Sequence, residues 1–336
     1  MINQNGVKAY SQKNISLNDV DEAISGLKGA LYIGRIQVPR VPHPASIRLV
    51  WENDVDVPLN RAITNLTEIL LPDEMSDSLA GIKHLIVVPT QMLGAVPYGV
   101  LKPFEDDMYL VDKMSVSVAP SLFDLWAEAS PWNNDLAFSS ALIVGNPTLP
   151  YSDEWTVPAL PGAETEAYEV AELLDEVPLV GELATKDAIV ERAPESTFLY
   201  FATHGISSYY DPLEGGLLMF SATTLEQGWW TAREIQNANL NAEIAVLSAC
   251  QTGLGRSHDA GTIGISRAFQ IAGVPRVVMS LWNVDDESTN LLMQSFVRNL
   301  ENEMPAEALR QAMLETREIY PSPLDWASFT LFGTPR

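Results

Sequence analysis

The hydrophobic pattern is uneven along the chain. Before residue 80 it is weakly punctuated: residues 30–33 and 47–51 read as short strands, and residues 60–71 space Ile63, Leu66, Ile69 and Leu70 at helical intervals. Between them, Pro39, Pro42 and Pro44 mark a loop or strand edge. From His84 the apolar runs become compact. HLIVVPT at 84–90 closes on Pro89 as a buried strand does, and ALIVGNP at 141–147 repeats the pattern. Helical spacing follows over 163–177, with Ala167, Val170, Ala171 and Leu174 on one side. Glu164 and Glu166 fall in its first turn, where the helix field favours negative charge. Residues 178–180 read as a short strand, and Thr185 as the cap of a helix over 186–192. TFLYFATHG (197–205) is expected to be a strand ending at His204, and EIAVLSACQTG (243–253) a strand ending at Cys250. A helix over 262–273 stops at Gly273, and a strand over 276–282 follows. Helices near 287–300 and 305–319, the second opened by Pro305, precede a last strand at 327–333. Strands alternating with helices predict an α/β fold, a mostly parallel central sheet covered on both faces. At about 150 residues per domain, 336 residues allow roughly two units. The pattern suggests an accessory region over 1–80 and a main domain over 81–336, with an internal division near 128–140.

Charge narrows the function classes. The chain holds 44 acidic and 20 basic residues, a formal net charge of -24, so long-range attraction to DNA or an anionic membrane is not expected. The excess fits either solubility or a preference for basic partners. Cys250 stands alone, which excludes an intrachain disulfide and a cysteine-rich zinc site. His43, His84, His204 and His258 form no metal-ligand pattern, so no cofactor or metal is expected. Residues 1–10 lack a basic start followed by an apolar run, and no apolar stretch approaches about 18 residues. A soluble, cytoplasmic protein is the expectation.

Open α/β sheets place their sites beyond the carboxyl ends of strands, where His204 and Cys250 both fall in this reading. Neighbouring strands about 4.8 Å apart would bring two such side chains together. The chemistry would be nucleophilic attack on an amide: a cysteine thiolate attacks, histidine protonates the departing amine, and backbone N–H groups near Gly205 and Cys250 hold the oxyanion. The competing reading of a lone cysteine after a strand is a buried small hydrophobe. The histidine precedes the cysteine by 46 residues, and SACQTG is close to, though not the same as, the caspase frame around its cysteine.

An ordered set of segments carries a family resemblance. HLIVVPTQMLGAVPYGVL (84–101), ALIVGNPTL (141–149), LPGAETEA (160–167), FATHG (201–205), LSACQTGLG (247–255), RAFQIAGVPRVVMSLWNVDDEST (267–289) and DWASFTLFG (325–333) together resemble the CHAT domain, a caspase-like family related to separase and often attached to tetratricopeptide repeats. The resemblance spans about residues 80–335 and implies a caspase-hemoglobinase fold with a Cys250–His204 dyad. It implies proteolysis of a protein substrate after a preferred residue, regulated by a partner or attached domain, in a setting similar to bacterial defence or regulated cell death. Residues 1–80 show no tetratricopeptide periodicity, so a sensor or activator is expected to be a separate protein or the small N-terminal region; a homodimer is an open alternative. A noncatalytic CHAT scaffold in a signalling complex is the alternative function.

Substrate selection has weaker candidates. Asp285 and Asp286 follow the strand at 276–282 and would pair with arginine or lysine at the cleaved position, or else cap the helix beginning near residue 287. Asp211 is a second acidic candidate, with a turn before Pro212 as its plainer role. Trp282 would either wall the groove or pack in the core. The segment 207–224 reads as a loop over the cleft and 253–264 as a mobile loop beside the nucleophile, with His258 in it a solvated residue or a second proton-transfer group.

Overall fold

A computed structural model of the chain describes residues 2–3, 6–7, 16–31, 56–89, 93–94, 96–121, 131–133, 137–150, 157–206, 213, 217–249, 256–258, 261–282 and 285–333. Helix α1 (Leu17–Leu31) packs on α2 (Asp56–Leu70), whose Leu59, Ile63 and Leu66 are fully buried. Residues 30 and 31 therefore close a helix rather than open a strand. The pattern was misleading there because apolar residues closing a helix match the start of a short strand equally well; residues 32 and 33 of the expected strand lie outside the described residues. The expected strand at 47–51 lies outside the described residues. Thr67 ties α2 to the main body: its Oγ1 accepts the Lys102 backbone N–H at 3.0 Å and donates to the Ile63 carbonyl at 2.8 Å.

The centre is an eight-stranded sheet. Its strands are β1 (His84–Val87), β2 (Ser115–Val118), β3 (Ala141–Pro147), β4 (Leu179–Gly181), β5 (Phe198–Ala202), β6 (Ile244–Ser248), β7 (Arg276–Ser280) and β8 (Phe329–Gly333). The order is β1-β2-β8-β7-β6-β5-β3-β4, parallel throughout except between β7 and β8. The connections explain the exception. A single helix between strands returns the chain to its starting end and gives parallel strands, as with α3 (Pro161–Leu173) between the neighbours β3 and β4 and α4 (Lys186–Arg192) between β4 and β5, which flank β3 on its two sides. Between β7 and β8 lie two long helices packed on each other, α6 (Asp286–Asn299) and α7 (Pro305–Ile319), so β8 starts at the end where β7 stops. The Leu281 N–H donates to the Ser328 carbonyl at 2.7 Å across that junction.

Strands β5, β6 and β7 are buried on both faces, which is why they read as continuous apolar runs. On one face of β5, Phe201 meets Phe220, Trp230 and Phe269 at ring-centroid distances of 5.7, 5.9 and 6.1 Å. Phe269 belongs to α5 (Ile265–Ile271), so this helix covers that face. On the other face Tyr200 points at α3. Removing a ring such as Phe201 would cost about 3–5 kcal/mol. Glycine sets the closeness of β3 to α3: a Cβ on Gly145 would lie 2.4 Å from the Ala167 Cβ and 2.6 Å from the Ala163 carbonyl. Within 253–264, residues Arg256–His258 pair antiparallel with Gly261–Ile263, so the expected loop contains a short hairpin. Within 207–224, Leu217–Met219 is a strand.

Candidate active site

The carboxyl ends of β5 and β6 are in register, with Ala202 opposite Ser248. His204 follows the first by two residues and Cys250 follows the second by two. Cys250 and Asp211 lie outside the described residues, so the structure presents the site from its histidine side.

His204 is held through backbone and ring alike. Its carbonyl accepts the Met219 N–H at 2.9 Å, and the preceding Thr203 donates its hydroxyl to the Met219 carbonyl at 2.5 Å. Both bonds fasten the histidine to a small antiparallel sheet formed by Gly205–Ile206, Leu217–Met219 and Trp229–Thr231. Gly205 faces Leu218 there. Because Met219 bonds to residue 204, Gly205 occupies the non-bonded position of the alternating antiparallel ladder, and its N–H lies outside that ladder.

The ring makes a contact that the sequence did not signal. His204 Nε2 lies 2.7 Å from the carbonyl oxygen of Pro158. A carbonyl only accepts, so Nε2 carries hydrogen and Nδ1 is the nitrogen available for proton exchange in the neutral ring. Burial lowers the imidazole pKa from its ordinary value, and the Pro158 carbonyl opposes that shift. A backbone acceptor has no residue-type signature; the PGAE segment that follows was the available clue.

Pro158 is positioned by the start of α3. Asn146 sits at a bulge in β3 with φ of 43°. Its Oδ1 accepts the Leu160 N–H at 2.7 Å and its Nδ2 donates to Glu164 at 2.8 Å. On the adjacent side, a Cβ on Gly162 would fall 2.3 Å from Asp286 Oδ2. Asp286 thus packs on the first turn of α3, and burial with the neighbouring Asp285 raises its pKa. Asp285 is the N-cap of α6: its Oδ2 accepts the Glu287 and Ser288 N–H groups at 3.1 and 3.3 Å. Trp282 is buried and donates Nε1–H to the Leu324 carbonyl at 3.0 Å.

Beneath the strand ends lies a buried acid. Glu166 is 3% exposed and accepts the Tyr200 hydroxyl at 2.7 Å, with Ser248 bonded to both. Burial pushes its pKa up to about 7 against those bonds, and Asp286 and Glu169 add to the rise. Glu166 is therefore turned inward, unlike the helix-field role read from its sequence position. That role belongs to Glu164, the acidic residue of the first turn.

A family profile described as CHAT domain matches residues 60–334. The chain belongs to the CHAT domain family. Tetratricopeptide repeat protein 28 of Homo sapiens and its Mus musculus counterpart are each 27% identical to it over 295 residues, covering 75% of this chain and 12% of the relative. The CHAT chain thus spans about an eighth of the length of the curated relatives it matches. Among solved structures, the Saccharomyces cerevisiae separase–securin complex superposes with a TM-score of 0.51 at 14% identity, over 96% of this chain and 22% of that one. The Arg-specific cysteine proteinase gingipain R superposes with a TM-score of 0.50 at 11% identity, over 82% and 67%. At such identities the likeness concerns the fold, a caspase-like sheet flanked by helices. No described helix is long and apolar enough to cross a membrane.

Proposed function

We propose that this CHAT chain is a cysteine endopeptidase acting through Cys250 and His204. The observation that carries the reading is the histidine: His204 stands beyond the register pair Ala202–Ser248 with Nε2 bonded to the Pro158 carbonyl, leaving Nδ1 for the substrate. Cys250 gives its thiol proton to Nδ1, the thiolate attacks the scissile carbonyl, and the Gly205 N–H supports the oxyanion. Imidazolium Nδ1–H then protonates the departing amine as the C–N bond breaks, leaving a thioester. Water, losing its proton to Nδ1, releases the acid and restores the thiol.

For the cleaved position we propose a basic residue. The net charge of -24 attracts cationic segments, and Asp211 is the acidic candidate left once Asp285 is assigned to the α6 cap and Asp286 to its packing on the first turn of α3. Activation by a separate partner or by homodimerisation, and a place in bacterial defence or regulated cell death, rest on the sequence resemblance and are proposed on that footing. Profiling of new termini in a protein mixture tests the activity. Wild type is expected to generate termini that Cys250→Ala does not, following arginine or lysine. Identical termini from both proteins, with any activator supplied, would favour a noncatalytic scaffold.

A further inference from the structure

The bonds at the head of α3 form a chain that ends on the histidine. Asn146 occupies a left-handed φ of 43° at the point where the β3–β4 register shifts. Asparagine tolerates that backbone, which turns its amide out of the ladder. The amide oxygen meets an N–H and the amide nitrogen meets a carboxylate, so the two contacts fix its orientation; a flipped amide would lose both. Its first partner, Leu160, is the N-cap residue of α3 with no side-chain cap of its own, two residues beyond Pro158. The absence of side chains at Gly145 and Gly162 lets β3 and Asp286 press against the same first turn. Nothing in the proteolytic chemistry calls for an asparagine at this place, yet both of its polar atoms are committed to it.

We propose that Asn146 is a positioning residue, holding the 158–160 segment so that the Pro158 carbonyl fixes the tautomer and orientation of His204. This rests on the peptidase reading for its consequence in catalysis, but not for its structural readout. In the full chain, Asn146→Gly keeps the left-handed backbone and removes both bonds. Nitrogen NMR of the neutral imidazole, assigned with His204→Ala, distinguishes an Nε2–H ring from an Nδ1–H ring. The wild type is expected to be Nε2–H alone and Asn146→Gly a mixture of both. With a cleavable substrate, kcat is expected to fall about 10–100-fold with KM nearly unchanged. Asn146→Asp combined with Glu164→Gln, which retains the acceptor for Leu160 and lets residue 164 donate the second bond, is expected to restore the tautomer. Should Asn146→Gly fail to fold, Glu164→Ala takes its place: it removes the second contact of the Asn146 amide without touching the left-handed backbone, and a smaller share of Nδ1–H ring is expected. An unchanged Nε2–H ring in the folded variant would overturn the proposal while leaving the peptidase reading intact. A wild type that loses the tautomer on mutation but cleaves nothing would do the reverse.

Discussion

Replacing Glu166 by glutamine is expected to remove a pH-dependent loss of stability. The acid is buried between α3 and the β5–β6 strand ends, where the Tyr200 and Ser248 hydroxyls contact it and Asp286 and Glu169 lie nearby. Below the ordinary carboxyl pKa of 4.5 it is protonated whether the chain is folded or not, and no penalty arises. As pH rises the unfolded chain releases this proton first. The folded chain holds it to about 7, so folding is progressively disfavoured until the buried group ionises too. The gap from 4.5 to about 7 corresponds to about 3 kcal/mol lost across that window. Glutamine keeps an oxygen for Tyr200 and cannot ionise. Urea unfolding of both proteins between about pH 4.5 and pH 8 measures the difference. The stability of Glu166→Gln relative to wild type is expected to rise by about 3 kcal/mol over that range. His204, with its lowered pKa, and Asp325, with a raised one, titrate in both proteins and cancel in the comparison, whereas Asp286, whose charge acts on Glu166, is part of the difference measured. Parallel stability curves would refute the burial argument for Glu166.

Other outcomes follow from the same geometry. Gly145→Ala drives a Cβ into the Ala163 backbone and is expected to destabilise the fold by about 1–3 kcal/mol, read as a lower urea midpoint. Asp285→Ala removes the α6 cap and is expected to cost about 1 kcal/mol in the same assay, with the residue preference at the cleaved bond unchanged. The His204 imidazole is expected to titrate below its ordinary 6.5 in an NMR titration, because burial disfavours its charged form; a midpoint above 6.5 would contradict that placement.

The central strands were legible because burial on both faces leaves uninterrupted apolar runs, as FLYFA in β5 and RVVMS in β7 show. The Thr185 cap was legible as well, since its hydroxyl has a positional meaning and accepts the Ala188 N–H at 3.2 Å. Helix α1 was missed although Val20, Ile24 and Leu27 keep helical spacing, because residues 30 and 31 at its end imitate a strand. The antiparallel β7–β8 pair depends on two helices packing as a hairpin, which no single window of sequence expresses. At the site, the histidine was marked by residue type and motif. Pro158 was not, because the oxygen it offers is one every residue has. Glu166 was misread because helix position alone does not say which side faces Tyr200.

The most direct test of the peptidase account is to look for the covalent intermediate. A protein or peptide that wild type cleaves is mixed with the full chain, acid-quenched, and the intact mass recorded. The account predicts an acyl adduct on Cys250, absent from Cys250→Ala and strongly reduced in His204→Ala. Turnover of that substrate with no adduct on Cys250, or equal turnover by Cys250→Ala, would contradict it.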